Sequence, residues 1–102
     1  MVRYVVCAVI RHGHRRDFLS AFEAWREAAV ARDLPRYRLY SSNWGTYGEV
    51  FAEAEYVDSA DIDRRIAAAL SHLDYEAAHN AVLGHLVEGS MRDYILVEEV
   101  LP

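Results

Sequence analysis

The stretch Ser42–Val57, SNWGTYGEVFAEAEYV, decides how the rest of the chain is read. Up to Gly48 it is polar and turn-forming. From Glu49 it alternates Val50, Ala52, Ala54 and Tyr56 against Phe51, Glu53, Glu55 and Val57, the two-residue period of a strand with two unlike faces. Just before it, Arg36–Tyr40 (RYRLY) alternates long and aromatic side chains and predicts another strand. Residues 41–48, with glycines on either side of Thr46 and Tyr47, then predict the loop of an antiparallel pair.

A strand and a helix flank this pair on each side. Arg3–Arg11 (RYVVCAVIR) is apolar at nearly every position, as expected of a strand covered on both faces. After His12-Gly13-His14 the period turns helical: Phe18, Phe22, Trp25 and Ala29 form one stripe between Arg15 and about Asp33. Leu34-Pro35 is expected to end that helix, because a residue before proline is pushed out of the α region. Downstream, Asp58-Ser59-Ala60-Asp61 predicts a capped helix start, followed by the stripe Ile62, Ile66, Ala69, Leu70 and Leu73. A break near Ser71–Asp74 is expected. Asp74 would cap a second segment with the face Tyr75, Ala78, Val82 and Leu86, and Gly89 would stop it. Met91–Leu101 predicts the last strand.

The order is βαββαβ. Right-handed crossovers around a central antiparallel pair give an α+β, ferredoxin-like fold: a four-stranded antiparallel sheet with both helices on one face, residues 1–102 forming one domain. The other face is then bare. Strand 3–11 is apolar on both sides, and the last strand sets Ile95 and Val97 opposite Tyr94 and Leu96. Soluble monomers rarely expose apolar patches above a few hundred Å². A homodimer that buries sheet against sheet is therefore expected, and a lysine on the free face, for instance at Val97, is expected to disrupt it.

Composition excludes several classes. Sixteen acidic against eleven basic residues leave a net charge of -5, and the basic residues form no stripe, which argues against nucleic acid. The single Cys7 rules out an internal disulfide framework and suits a reducing cytoplasm. Val5–Ile10 is too short to span a membrane. No P-loop, G-x-S-x-G elbow or dinucleotide fingerprint is present.

Three stretches, GEVFAEAEYVDSAD, LDYEAAHNAVL and EGSMRDYILV, resemble the dimeric α+β barrel superfamily and, within it, the NIPSNAP-like branch. The resemblance spans most of the chain and is closest after Gly48. It implies a homodimer whose two sheets form a central barrel, with room for a small hydrophobic or aromatic molecule between sheet and helices and no cofactor. Relatives of that superfamily include cofactor-independent antibiotic biosynthesis monooxygenases, polyketide cyclases, lactone isomerases and haem-handling enzymes. The asparagine, tryptophan and histidine set of the haem-degrading members is not recoverable here, since adjacent loop residues such as Asn43 and Trp44 are not expected to face one pocket.

Chemistry concentrates in a few residues. Tyr75 and His79, four apart on a helix, share a face, and a phenol beside an imidazole can pass a proton to or from an enolisable substrate. The same two residues also fit the edge of a core, with polar tips in water. Arg92 and Tyr94 alternate onto one face of the last strand, where Arg92 is placed either to hold a substrate oxyanion or to pair with Glu53. Glu53 and Glu55 share a strand face that suits a base, if buried, or a solvated edge. Tyr37, Tyr40, Trp44 and Tyr47 gather near the hairpin, as ligand-binding walls or as interface anchors. These readings give His79, Tyr75 and Arg92 as catalytic candidates and Trp44, Tyr40, Glu53 and Tyr94 as substrate-binding candidates. His12-Gly13-His14 lacks a third ligand, and no metal site is expected.

Overall fold

A computed structural model describes residues 1–42 and 44–102; Asn43 lies outside the described residues. The elements are β1 (Val2–Val9), α1 (Arg15–Ala31), β2 (Arg38–Ser41), β3 (Glu49–Tyr56), α2 (Ser59–Leu70), α3 (Leu73–Leu83) and β4 (Arg92–Leu96). The sheet runs β2-β3-β1-β4, and every neighbouring pair is antiparallel. β1 and β2 are thus parallel with β3 between them, the split βαβ arrangement of the ferredoxin-like α+β fold.

Register assigns the faces that the sequence left open. Tyr4, Val6 and Ala8 pair with Ala54, Ala52 and Val50, and these even-numbered positions pack against the helices. Val5 and Cys7 pair with Glu53 and Phe51 and face the other way. On β4, Val6 meets Asp93 and Tyr4 meets Ile95, so Asp93 and Ile95 share the helix side. Arg92, Tyr94 and Leu96 lie behind, opposite Cys7, Val5 and Arg3.

The core forms where the three helices cover the front of the sheet. Phe18, Phe22, Trp25 and Ala29 of α1 are all buried, the stripe that the helical period predicts. Each such large apolar side chain contributes about 1.5–3 kcal/mol when removed from water. They meet Ala8, Val50, Ala54 and Tyr56 from the strands, Ile10 just past β1, and Ile62, Ala69, Tyr75 and Leu86 from the second half of the chain. At the β2–β3 loop, Gly48 takes φ +78° while its carbonyl accepts the Ile10 N–H at 2.9 Å, a backbone conformation that disfavours a side chain.

Helix ends differ from expectation in instructive ways. α1 stops at Ala31, before Leu34-Pro35, because Asp33 adopts a left-handed conformation (φ 66°) and lets the Leu34 and Asp33 N–H groups bond back to the Ala29 and Val30 carbonyls. Asp58 caps α2 as predicted, accepting the Asp61 N–H at 2.8 Å. The expected break falls at Ser71–His72, but His72 rather than Asp74 occupies the cap position of α3, and Asp74 sits in the first turn. The break also turns Leu73 outward, so it does not belong to the stripe of α2. α3 ends at Gly84, not at Gly89, which instead shapes the turn before β4 with φ +77°. β4 is five residues long and not eleven; Val97–Pro102 continues past it without strand pairing. Val97 therefore lies beyond the sheet, and Tyr94 and Leu96 are the free-face positions of the last strand.

Candidate functional site

Between the sheet and the helices lies a cavity of about 340 Å³. Its floor is Tyr4, Val6, Ala8, Val50 and Ala52 from the sheet, and its roof includes Trp25 of α1, Ile66 of α2 and Tyr75, His79 and Val82 of α3. The volume sits at the low end of the range of about 300–1,000 Å³ typical of small-molecule sites, and most of the wall is apolar. Small residues, Ala8 and Ala52, alternate with larger ones on the sheet floor and leave this volume unfilled.

Polar groups enter this wall at few points. Tyr75 and His79 both line it, their rings stacked with centroids 6.1 Å apart and 17° between planes. Burial pushes the His79 pKa below its ordinary value, so the ring is neutral near pH 7 and able to accept a proton. Burial raises the Tyr75 phenol, and an interaction with Trp25 opposes that rise without reversing it. The Trp25 ring stands 6.2 Å from that of Tyr75, and its Nε1 is buried without a well-formed hydrogen bond among the described residues. Tyr37 also lines the cavity, and its hydroxyl meets that of Tyr56 at 2.7 Å. Toward the exposed rim, the Tyr4 hydroxyl donates to Asp93 Oδ2 at 2.9 Å. Burial, then that bond, keeps the Tyr4 phenol protonated.

The catalytic candidates His79, Tyr75 and Arg92 all line the cavity, His79 and Tyr75 side by side. Arg92 belongs to the wall at a strand position opposite Cys7, from which its side chain alternates to the rear of the sheet. The expected Arg92–Glu53 pair is not formed; Arg3 instead stands 4.0 Å from Glu53 and 3.5 Å from Glu55. The substrate-binding candidates lie away from the cavity. Tyr40, Glu53 and Tyr94 share a shallow rear depression with Val5, Phe51 and Leu96, and Trp44 projects from the hairpin loop 90% exposed. Of the four hairpin aromatics only Tyr37 reaches the cavity.

Tyr4, Trp25 and Asp93 are cavity residues that sequence reasoning did not single out. Trp25 hid inside a stripe that reads equally as core. Tyr4 and Asp93 hid in strands whose facing depends on register, and a face count anchored on Val50 and Ala52 would have found Tyr4. His14, read in the sequence only as part of His12-Gly13-His14, meets His85, Nδ1 to Nδ1 at 3.1 Å. Among the described residues no group of three or more His, Cys, Asp or Glu side chains is placed to hold a metal ion.

No family model matches the sequence, and no curated protein does. Solved structures match over the whole fold. An uncharacterised NIPSNAP domain protein from Burkholderia xenovorans superposes with a TM-score of 0.84 at 15% identity, covering 100% of this chain and 98% of its own. A NIPSNAP family protein from Agrobacterium tumefaciens gives 0.82 at 16% identity, with 96% and 92% covered. An antibiotic biosynthesis monooxygenase gives 0.71 at 14% identity over 100% of both chains. The chain thus has the fold that the resemblance in its sequence implied, shared by proteins of both kinds.

Proposed function

We propose that this chain is a NIPSNAP-like dimeric α+β barrel protein that binds a small hydrophobic or aromatic molecule between its sheet and its helices. The observation that carries the proposal is the cavity itself: about 340 Å³, largely apolar, and furnished with the Tyr75–His79 pair rather than filled by side chains. The test is binding of a neutral fluorophore, N-phenyl-1-naphthylamine, to the protein and to Ala52→Phe, which places a ring on the cavity floor. Binding that is lost in the folded variant supports the site. Binding of equal strength in the variant refutes it.

The homodimer belongs to the same proposal. The rear of the sheet presents Tyr40, Phe51, Tyr94 and Leu96 around the tightly packed Val5 and Cys7, and Tyr94 and Leu96 are 47% and 51% exposed. That is the kind of face that a second copy covers. No helix is long and apolar enough to cross a membrane. A cytoplasmic location is proposed from the lone free thiol of Cys7.

A second reading, a cofactor-independent monooxygenase, cyclase or isomerase acting on an aromatic or polyketide-like substrate, is favoured by the stacked Tyr75–His79 pair alone. In it, neutral His79 takes a proton from an enolisable carbon or phenol, and Tyr75 returns one to the developing oxyanion. Arg92 is better assigned to the rear face than to this oxyanion, given its register. Oxygen uptake with a panel of quinols, compared between the protein and His79→Ala, tests the oxidase form. An unchanged rate in the variant removes His79 from the chemistry.

A further inference from the structure

The cavity has two polar ends of opposite hydrogen-bonding sense. At the buried end are Trp25, 9% exposed, and Tyr75, 2% exposed. The Trp25 indole can only donate; its Nε1 is enclosed, and the Tyr75 hydroxyl beside it does not meet it in good hydrogen-bond geometry. A buried donor left unpaired is costly, and native structures tend to satisfy such groups or use them. At the exposed end stands Asp93, a carboxylate that can only accept. Its Oδ2 receives the Tyr4 hydroxyl at 2.9 Å, and the pair leaves further acceptor capacity on the carboxylate. Much of the remaining lining is apolar, Val6, Ala8, Ala52, Ile66, Val82 and Leu83, with His79 stacked on Tyr75.

We infer that the cavity selects a neutral molecule with an apolar body, a carbonyl-type oxygen that accepts from Trp25 and Tyr75, and at its far end a hydroxyl or amine that donates to Asp93. This rests on the proposed binding site and adds its ligand class, with Trp25 and Asp93 as specificity-determining residues. A carboxylate ligand is disfavoured at either end. The buried end offers it no cation, and at the exposed end the Asp93 carboxylate opposes it, with Arg92 beside Asp93 at a strand position whose register turns its side chain to the rear of the sheet. The lowered pKa of His79 agrees with a site that does not hold charge.

Four probes of one shape separate the contributions: tetralin, 1-tetralone, 5,6,7,8-tetrahydro-2-naphthol and 6-hydroxy-1-tetralone, titrated calorimetrically into the full chain. The carbonyl and the hydroxyl are each expected to tighten binding by roughly 10-fold, so 6-hydroxy-1-tetralone binds tightest and tetralin weakest. In Trp25→Phe the gain from the carbonyl shrinks while that from the hydroxyl remains, and Asp93→Ala reverses that pattern. Because the probe series is run on the unaltered protein as well, a variant that misfolds does not decide the matter. If tetralin binds as tightly as 6-hydroxy-1-tetralone, the cavity reads shape alone, and this inference falls while the binding site stands. If none of the four binds, the binding site falls and the inference with it.

Discussion

The hydroxyl pair of Tyr37 and Tyr56 offers the sharpest energetic test of the interior. The two residues are 3% and 1% exposed, and their oxygens are 2.7 Å apart. Burial raises both phenols, and either hydroxyl could donate to the other; with Tyr37 as the donor, the two single variants are expected to differ. Tyr56→Phe removes the acceptor and leaves the Tyr37 O–H facing a hydrocarbon edge in a place that water barely reaches. The cost is that of an unsatisfied buried donor, about 1–3 kcal/mol. Tyr37→Phe removes the donor instead, and costs about 0.5–1.5 kcal/mol. The double variant carries no stranded hydroxyl, so its loss is expected not to exceed that of Tyr56→Phe, with a coupling of about 1 kcal/mol. For a domain of this size each 1 kcal/mol moves Tm by about 4–8 °C. Urea denaturation followed by circular dichroism, at one fixed protein concentration so that association contributes equally, measures all four proteins. Strictly additive losses would refute the coupling, and a larger loss for Tyr37→Phe would reverse the donor assignment.

Three further outcomes are expected. His79 has a folded pKa below its unfolded value, so below pH 6.5 the unfolded chain binds more protons. Stability should therefore fall as pH drops from 6.5 through the folded pKa. Denaturation midpoints of His79→Gln, compared with the parent between pH 7.5 and pH 5, should lose that part of the slope. Asp58→Ala deletes the oxygen that accepts the Asp61 N–H at 2.8 Å, and should cost about 1 kcal/mol, read from urea midpoints, while Asp58→Asn should cost less. Leu96→Lys puts a charge on the rear face without touching the cavity, and light scattering should report a folded monomer. A dimer that persists unchanged removes the rear face as its interface.

Much of this architecture was legible because two of its determinants are local. The two-residue alternation of 49–56 and the stripe Phe18, Phe22, Trp25, Ala29 each name an element and its buried side. The broken second helix was equally visible, although its cap was not: His72 takes that place by backbone geometry alone, with no side-chain bond to signal it. The site was harder to see, since which face of β1 and β4 looks inward is a matter of pairing across the sheet. Tyr4, Asp93 and Arg92 sit in strands whose two sides are nearly alike in polarity, and one residue of register moves each of them to the opposite face. His79 and Tyr75 escaped this ambiguity because a helix fixes neighbours four apart without reference to any partner.

Cys7 sits in the middle of β1 on the rear of the sheet, only 5% exposed, and it carries the only sulfhydryl of the chain. A thiol reagent can reach that atom only when the neighbouring side chains that cover it move aside or β1 loosens from β3 or β4. The speed at which Ellman's reagent colours a native sample is then a clock for those openings, one reaction per molecule with no engineered label. Should a second subunit lie over the same face, the clock would slow as protein concentration rises, reporting assembly and strand motion through a single sulfur.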